Sequence, residues 1–393
     1  MAKLIDITGK AISGEWGTDD LVGNGVPVLR TTNFTNIGVV NFNNVVTRQI
    51  VKKSISEKLL RYGDIIIEKS GGSDKQPVGR VVFFEGEDNK YLFNNFTGLL
   101  RVRDFCKWNP KYIFYSLFSN YANGGTIPFE NRTTGLHNLQ TDSYVNSVMI
   151  VERKIEEQTD IVTILDKVNQ LINYEKKQLE DLDILVKSRF IEMFGTFPDN
   201  PKGWECCTIR DIVKEVRYGS SRPAVEGGQY PYLRMNNITY EGTLDLSEIK
   251  YIDVPEKELE KCTVRKGDVL FNRTNSKELV GKTCLYDRDE SMVLAGFIIR
   301  VRVNDKVVPE FLVAFLNMDF SKKMLFNKCK AAIGQANINA QELQNIEIYL
   351  PHLALQKEFV SLKYQVDKSK LAIQQSLDEL ETLKKSLMQQ YFG

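Results

Sequence analysis

The feature that most constrains the fold is a long amphipathic segment that the chain contains twice. Residues 356–393 align with residues 158–195 without a gap, at a constant offset of 198, and both copies end in Phe-Gly. Neither copy contains proline or an internal glycine. Apolar residues recur at three- and four-residue steps, which is the period of one helix face. They are Ile161, Ile164, Leu165, Val168, Leu171, Ile172, Leu179, Leu182, Leu185 and Val186, and then Phe359, Leu362, Val366, Ile373, Leu377, Leu380, Leu383 and Leu387. We therefore expect two long helices that pack against each other through these stripes; two unrelated surface helices are the alternative.

The sequence that precedes each helix is duplicated as well. The offset between matching segments drifts from 205 to 198, so insertions lie in loops while the framework is kept. In both copies a Gly-Asp pair leads into a short apolar run, Ile65–Ile67 or Val269–Phe271, which is typical of a strand. The matching segments are 4–7 and 209–212, 27–34 and 231–238, 61–64 and 265–268, 78–80 and 280–282, 101–103 and 300–302, and 135–139 and 334–338.

These repeats predict an α+β protein made of two similar mixed α/β domains, each followed by a long helix. The two helices are expected to form an antiparallel coiled coil between the domains, with an internal pseudo-two-fold axis. The expected boundaries are 1–151 for the first domain, 152–196 for the central helix, 197–350 for the second domain and 351–393 for the C-terminal helix. Residues 197–203 are rich in Pro and Gly and indicate a hinge or linker.

Composition excludes several classes of protein. The net charge is only +1, so a nucleic-acid partner would need a local basic patch. The six cysteines lack Cys-x-x-Cys spacing and the chain has only two histidines, which favours reduced thiols over a zinc site. No run approaches the roughly 20 apolar residues of a membrane span, and the N-terminus lacks a signal core. We expect a soluble, cytoplasmic protein.

A search for catalytic motifs finds no nucleotide-binding loop and no metal-ligand cluster. Residues 109–112, Asn-Pro-Lys-Tyr, resemble a motif of amino-methyltransferases, but Asn followed by Pro is also the pattern of a helix start, here for a helix through 112–118. The second copy has Val-Pro-Glu at 308–310. A nuclease site is equally unsupported, because Glu-Lys at 68–69 becomes Asn-Arg at 272–273. The chain is therefore predicted not to be an enzyme.

Sequence-specific DNA binding requires Arg, Lys, Asn and Gln on segments that reach base edges, with other polar groups on phosphates. The best candidates follow the two Gly-Asp strands, at 68–76 and 272–277, where the copies occupy the same position but differ in sequence. The Arg and Asn pairs at 30 and 33, and at 234 and 237, are shared and therefore favour framework or phosphate roles. The candidate DNA-binding residues are Arg30, Asn33, Lys69, Ser70, Ser73, Lys75, Gln76, Asn138, Arg234, Asn237, Arg273, Thr274, Asn275, Lys277 and Asn337. For each of them, a role in a turn or a framework hydrogen bond is the alternative.

The length of the helices gives a second argument for DNA. Each 38-residue copy would span roughly 57 Å at about 1.5 Å per residue. Double-helical DNA advances about 34–36 Å per turn. Domains held at the two ends of such a rod would touch separate patches of one duplex, and the patches need not share a sequence.

In this order and in duplicate, the motifs resemble the specificity subunits of type I restriction-modification enzymes. The resemblance covers essentially the whole chain. It departs from the family in the first copy, which lacks the Gly-Trp entry and has Val151–Lys154 where Tyr349–His352 is expected. The motifs are Lys-Gly-Trp-Glu at 202–205, Pro-x-Leu-Arg-x-x-Asn at 27–33 and 231–237, the Gly-Asp turns at 63–64 and 267–268, residues 346–356 and the duplicated helix.

The resemblance implies two target recognition domains, each reading one half of a split site in double-stranded DNA. It also implies that the helices dock two modification (methyltransferase) subunits, with restriction or motor subunits as further candidates. S-adenosylmethionine is then expected on the modification subunits, with no cofactor in this chain. The alternative is a coiled-coil scaffold whose globular domains bind protein rather than DNA.

Overall fold

The computed structural model describes residues 1–50, 55–133, 136–332 and 335–393. These residues form two compact units. The first unit comprises residues 1–176 and 375–393, and the second comprises residues 177–374. This division falls inside both long helices, so each helix belongs partly to each unit. Within the described residues, no helix combines the length and the apolar character that a bilayer crossing requires.

The first unit is a mixed α/β fold. Its short helices are Leu4–Thr8 (α1), Pro110–Ala122 (α2) and Thr141–Ser147 (α3), and the first long helix is Ile155–Phe194 (α4). Its strands are Ala2–Lys3 (β1), Ile12–Ser13 (β2), Thr18–Asp19 (β3), Val26–Leu29 (β4), Val46–Gln49 (β5), Ile65–Glu68 (β6), Ser70–Gly72 (β7), Val81–Phe83 (β8), Leu92–Phe93 (β9), Thr97–Leu100 (β10), Glu130–Thr133 (β11), Leu136–Leu139 (β12) and Met149–Ile150 (β13). Hydrogen bonds join them in the orders β1-β13, β2-β10-β6-β8, β3-β5-β4-β9 and β11-β12-β7.

The second unit repeats this plan, which confirms the predicted duplication. Its short helices are Glu256–Cys262 (α5), Pro309–Asn317 (α6), Asp319–Lys328 (α7) and Ala340–Gln344 (α8), and the second long helix is Leu353–Phe392 (α9). Its strands are Glu205–Thr208 (β14), Val213–Tyr218 (β15), Tyr230–Leu233 (β16), Lys250–Ile252 (β17), Thr263–Val264 (β18), Val269–Asn272 (β19), Thr274–Asn275 (β20), Thr283–Leu285 (β21), Met292–Leu294 (β22), Ile298–Val303 (β23), Lys330–Ala332 (β24), Gln335–Asn337 (β25) and Glu347–Leu350 (β26). The sheet orders are β14-β26, β15-β23-β19-β21, β17-β16-β22-β18 and β20-β25-β24.

The two long helices pack antiparallel, as the sequence predicts. In the second unit, Asp183 of α4 accepts a hydrogen bond from Lys370 of α9 at 2.6 Å. Further along α4, the ring of Phe190 lies 5.2 Å from that of Phe359, which comes earlier in α9. Later positions of one helix therefore meet earlier positions of the other.

The predicted apolar stripes are only partly buried. In the first unit, Ile161 and Leu165 share a core with Met388 of α9 and with the β6 and β8 strands. By contrast, the stripe residues Ile164, Leu171, Leu185 and Leu383 are exposed. The reason is geometric: a stripe of positions three and four apart is wider than the surface that one partner helix covers. The helices therefore pack through most of the predicted stripe positions, and each helix also keeps an exposed apolar edge.

A buried glutamine fixes the start of each long helix to its own unit. In the first unit, Gln158 accepts a hydrogen bond from the Asn109 N–H (2.9 Å) and donates to the carbonyl oxygens of Lys107 and Arg153 (both 2.9 Å). Its side chain is fully buried. Because the amide uses both its oxygen and its nitrogen, the helix can meet the preceding loop in only one orientation.

Gln356 makes the same set of bonds in the second unit. It accepts from the Val308 N–H at 3.0 Å and donates to the carbonyl oxygens of Lys306 (3.3 Å) and Pro351 (2.7 Å). In both units the bonded N–H belongs to the residue that precedes helix α2 or α6. The glutamine therefore joins the long helix to the start of a core helix.

The Asn-Pro-Lys-Tyr segment is a helix start, as expected. The Asn109 side chain accepts hydrogen bonds from the N–H groups of Lys111 (2.9 Å) and Tyr112 (3.4 Å). Pro110 occupies the first turn of α2. Since the Asn109 oxygen serves as a helix cap, it is committed to structure.

The two Gly-Asp turns are framework elements. Asp64 accepts a hydrogen bond from the Arg61 N–H at 2.8 Å and is paired with Arg101 at 2.7 and 2.6 Å. Asp268 likewise accepts from the Arg265 N–H at 2.8 Å and is paired with Arg302 at 2.8 Å. The equivalent of Arg101 is thus Arg302, and the match of 101–103 with 300–302 is two residues out of register.

The segment 197–203, for which the sequence indicates a hinge or linker, is a turn anchored by aromatic contacts. The ring of Phe197 packs against those of Phe315 and Tyr349, with centroids 5.6 and 6.0 Å apart. Trp204 Nε1 donates to the carbonyl oxygen of Phe194 at 3.0 Å. Proline and glycine form a tight turn here, and the aromatic residues around them anchor that turn to the second unit.

We predict that Gln356→Ala lowers the free energy of unfolding of the second unit by about 1–3 kcal/mol, because the half-buried Val308 N–H loses its acceptor. Urea denaturation followed by circular dichroism measures the effect. Gln365→Ala, at an exposed position of the same helix, is the matched control and should leave the midpoint unchanged. Equal stability of both variants would contradict this role of Gln356.

Candidate nucleic-acid interface

Both segments proposed from the sequence to contact DNA lie in small three-stranded sheets. Strand β7, within 68–76, pairs with β12, and β12 pairs with β11. Strand β20, within 272–277, pairs with β25, which pairs with β24. The two segments are therefore partly strand rather than open loop, because each continues from a core strand into an edge sheet.

In the first unit, backbone bonds define the position of Lys69. Its N–H donates to the carbonyl oxygen of Phe96 at 2.8 Å, and its own carbonyl accepts from the Leu139 N–H at 2.8 Å. Asn138 precedes Leu139 on β12 and pairs in register with Ser70. A cation, an exposed phenylalanine and an asparagine thus lie on adjoining backbone segments.

The same bonds recur in the second unit. The Arg273 N–H donates to the carbonyl oxygen of Phe297 at 3.0 Å, and the Arg273 carbonyl accepts from the Ile338 N–H at 2.9 Å. Asn337 precedes Ile338. Arg273 is therefore the structural equivalent of Lys69, and the same framework carries a different cation in each unit.

The guanidinium of Arg273 is oriented by its neighbours. Its central carbon lies 4.8 Å from the centre of the Tyr218 ring. Nη2 donates to Asn337 Oδ1 at 3.3 Å, and Nη1 approaches the carbonyl oxygen of Gly296 at 3.5 Å. Asn337 in turn donates to the buried Thr274 hydroxyl at 2.9 Å. Because both bonds from the guanidinium are long and neither acceptor is a carboxylate, its N–H groups can still donate to a stronger acceptor.

Lys69 has different surroundings. Its Nζ donates to the Ser13 hydroxyl at 2.9 Å. Burial lowers the pKa of Lys69, and the charge of Asp142 partly offsets this effect. Since Ser13 ends β2 as Tyr218 ends β15, the two units support their cations with unlike side chains.

A cleft of about 530 Å³ adjoins Arg273 in the second unit. Arg222 and Arg234 lie in its wall with Arg273, and the described residues that line it include no carboxylate. Arg222 is paired with Glu258 outside the cleft at 2.9 Å. Clefts lined by one sign of charge concentrate ions of the other sign, so this one favours an anion such as phosphate.

In the first unit, the hairpin of strands β11 and β12 and the turn beside it carry carboxylates. His137 Nδ1 lies 2.7 Å from Glu130 Oε1, and the guanidinium of Arg132 lies 3.6 Å from both Glu130 and Asp74. Ser73, at the adjacent turn, is exposed. These carboxylates reduce the positive charge that the first unit presents here.

The shared Arg and Asn residues belong to the framework. Asn33 is buried; its oxygen accepts from the Arg30 N–H at 2.9 Å and its nitrogen donates to the Asn41 carbonyl at 3.0 Å. Asn237 repeats this arrangement with the Arg234 N–H at 2.9 Å. The amides of both asparagines are therefore committed to the protein.

The guanidinium groups of this shared motif also bond to backbone. Arg30 donates to the Asn44 carbonyl and Arg234 to the Glu248 carbonyl, both at 3.2 Å. Each side chain remains partly exposed. Arg30 and Arg234 therefore stabilise their loops, and their exposed parts are accessible to a phosphate.

The other candidates lie around the two edge sheets. Lys75 is exposed, and Gln76 Nε2 lies 3.2 Å from Asn36 Oδ1. Asn275 accepts from the Ser276 N–H at 2.9 Å. Lys277 is exposed, with its Nζ 4.2 Å from the Phe326 ring centre.

The sequence did not single out Tyr218, Phe96, Phe297 or Arg132. Tyr218 lies on β15, far from Arg273 in the chain, and only the register of β15, β23 and β19 brings the two together. The signal that could have identified the phenylalanines is their matching place just before β10 and β23.

The carboxylates that could suggest nuclease chemistry are paired. Glu68 accepts two hydrogen bonds from Arg80, both at 2.9 Å. Asp64 is bound by Arg101, as described above. Among the residues that the structure describes, no group of His, Cys, Asp and Glu side chains is arranged to hold a metal ion.

Where the first unit has the Glu68–Arg80 pair, the second unit has Asn272 and Lys282, joined by the same backbone hydrogen bond. Lys282 donates to the carbonyl oxygen of Met235 at 3.0 Å, and Lys322 donates to that of Gly281 at 2.9 Å. Burial and, to a lesser extent, the nearby charge of Lys282 together lower the pKa of Lys322 to about 8. Burial also lowers the pKa of Lys282.

Comparison with known proteins gives a consistent result. The family model described as the type I restriction modification DNA specificity domain matches residues 201–382. The EcoKI specificity subunit of Escherichia coli K12 is 24% identical over 359 residues, covering 85% of this chain and 74% of that protein. A putative MjaX specificity subunit of Methanocaldococcus jannaschii is 26% identical over 196 residues, covering 49% of this chain and 46% of that relative. This second match thus spans under half of the relative's length.

Two solved structures share the fold. The type I restriction-modification S subunit from M. genitalium superposes with a TM-score of 0.57 and 14% identity, covering 100% of this chain and 95% of that one. A chain from a structure on complex assembly and conformational transition of the type I system gives a TM-score of 0.58 and 16% identity, covering 100% and 96%. The likeness therefore extends over both units.

We predict that the second unit becomes more stable as the pH rises from about 8 toward 10.5. In this range the folded chain binds fewer protons than the unfolded chain, because folding lowers the Lys322 pKa from 10.5 to about 8. Lys322→Met should raise the free energy of unfolding at pH 7 by about 1–3 kcal/mol and reduce the rise with pH. Urea denaturation at pH 7 and pH 9.5 tests this, with the exposed Lys323→Met as control. An unchanged slope would refute it.

Proposed function

We propose that this chain is a specificity subunit of a type I restriction-modification system, which recognises double-stranded DNA and carries out no chemical step itself. The observation that carries the proposal is the pair of equivalent edge sheets. Each places a cation beside an asparagine and an exposed phenylalanine, and the cation differs between the units. A protein that reads two unlike half-sites needs this combination of a common framework and different contact residues.

Each unit then reads one half of a split DNA site. Arg273 offers a planar pair of donors, and such a fork matches the O6 and N7 acceptors of guanine in the major groove. Lys69 offers a single ammonium with no fixed fork. We therefore expect guanine to matter in the half-site read by the second unit, whereas Lys69 contacts a phosphate or a single acceptor.

Two modification subunits, which carry S-adenosylmethionine, are the proposed partners. The exposed apolar edges of the long helices support this proposal. Ile184 on α4 and Leu371 on α9 are each 61% exposed. Exposed apolar residues on paired helices are typical of a surface that packs against further helices. Restriction or motor subunits would join the same complex.

We predict that Arg273→Ala weakens binding to the cognate duplex by about 1–3 kcal/mol and relaxes the base preference at one position. The reason is the loss of a two-donor contact to one base. Fluorescence anisotropy with the purified methyltransferase complex measures the affinity. Arg288→Ala, at an exposed loop position, is the charge-matched control. An unchanged base preference in the Arg273→Ala variant would show that Arg273 does not take part in base recognition.

We also predict that Ile184→Asp and Leu371→Asp abolish co-purification with the methyltransferase subunit, because a carboxylate in an apolar interface is left unpaired. Both side chains are exposed in the chain by itself, so its circular dichroism spectrum should not change. Ser369→Asp, on an exposed position of α9, should bind the partner normally. Retention of the partner by both variants would place the docking surface elsewhere.

The experiment that tests the proposed function is selection of bound duplexes from a random library by the assembled methyltransferase complex. We expect enrichment of two short conserved blocks separated by unselected positions. A variant with the edge-sheet substitution Arg273→Ala should lose selection at one position of one block and leave the other block unchanged. Absence of any enriched sequence would instead favour a scaffold that binds protein.

A further inference from the structure

The exposed phenylalanines Phe96 and Phe297 occupy equivalent positions in the two units. Each accepts, through its carbonyl oxygen, the hydrogen bond from the N–H of the cation, Lys69 or Arg273, at 2.8 or 3.0 Å. Each directly precedes the central strand β10 or β23. The side chains are 52% and 51% exposed. Two copies of one framework therefore present the same ring to solvent.

This exposure carries a cost that packing does not explain. Burying a phenylalanine side chain stabilises a fold by about 1.5–3 kcal/mol relative to leaving it in water. The neighbouring residues Ile298 in the second unit and Thr97 in the first are fully buried. The chain thus alternates between a buried position and an exposed ring at this edge.

The cation beside each ring differs, whereas the ring does not. Lys69 is supported by Ser13, and Arg273 is supported by Tyr218. Residues that determine different base preferences must differ between the units. A residue that is the same in both fits a contact that every half-site offers, and each base has an aromatic face whatever its identity.

The positive charges around Phe297 indicate which class of molecule its ring contacts. Phe297 lines the 530 Å³ cleft that also contains Arg234 and Arg273, together with Arg222, whose charge is paired with Glu258. A protein partner with an apolar surface would not need this concentration of positive charge. Nucleic acid supplies both an anionic backbone and flat apolar rings.

From these observations we propose that Phe96 and Phe297 stack on DNA bases, one ring in each half-site, as contacts independent of sequence. The inference rests on the proposed function, since it requires that the edge sheets face DNA. Aromatic or apolar side chains that enter a base step partially unstack it. The duplex is therefore locally distorted beside each cation.

The test uses the complex of the full chain with its methyltransferase and a duplex that the parent complex has selected. 2-Aminopurine, whose fluorescence rises when it is unstacked, is placed at successive positions of each half-site. We expect a rise at one position in each half-site with the parent complex. Phe297→Ala should remove the rise in one half-site, and Phe96→Ala should remove it in the other.

The same variants should lose affinity for the duplex by roughly 5- to 150-fold, the range found when a stacked aromatic residue is replaced by alanine. Phe→Tyr keeps the ring and should bind like the parent. Phe→Leu keeps the apolar volume without the ring and should bind at least fivefold more weakly. This pair decides the question if an alanine variant proves unstable. Phe105→Ala, at a position 62% exposed in the first unit, is the control and should have no effect.

Three results would overturn the proposal. Parent-like affinity of the leucine and alanine variants would show that the rings do not contact DNA. Loss of the methyltransferase from the Phe→Ala complexes, with DNA binding otherwise intact, would assign the rings to a protein interface. A parent complex that binds no duplex selectively would remove the proposed function itself, and with it the stacking contact.

Discussion

The structure depends on two buried glutamines. Gln158 and Gln356 each use both ends of one amide to join the first turns of a long helix to the loop before a core helix. An apolar contact at this place would allow the helix to rotate or slide, because apolar packing has little directionality. The amide permits one arrangement. The direction in which each long helix leaves its unit is thus set by hydrogen bonds rather than by the apolar stripe.

Much of the fold could be predicted because its causes are local or duplicated. The long helices follow from their periodicity, the Gly-Asp strands from a turn followed by an apolar run, and the start of α2 from Asn109. The features that could not be predicted concern relations between distant segments. Nothing local distinguishes a mobile hinge at 197–203 from a turn anchored by Phe315 and Tyr349. Similarly, Arg101 was aligned with Arg300 because the two tripeptides look alike, whereas the Gly-Asp carboxylate binds Arg302.

The candidate site was predictable in position but not in detail. Comparison of the two copies identified the segments around Lys69 and Arg273, because a shared framework with differing residues is visible in the sequence. It could not show that Tyr218 lies over Arg273, since this contact depends on strand register. Burial also separated the candidates: Asn33, Asn237 and Thr274 have side chains inside the fold. The duplicated chain thus keeps its buried asparagines constant and varies the cation that follows each Gly-Asp strand, Lys69 or Arg273.

The first unit is built from two separate stretches of the chain, and this has a consequence for folding during synthesis. This unit includes residues 375–393, which pack beside residues near its beginning. On the ribosome, those last residues emerge only after the whole second unit has been translated. The second unit is one continuous stretch of chain and can complete its fold first. The first unit cannot cover its core until residues 375–393 have been made. The order of folding therefore runs opposite to the order of translation, which exposes the nascent chain to chaperones and proteases for longer.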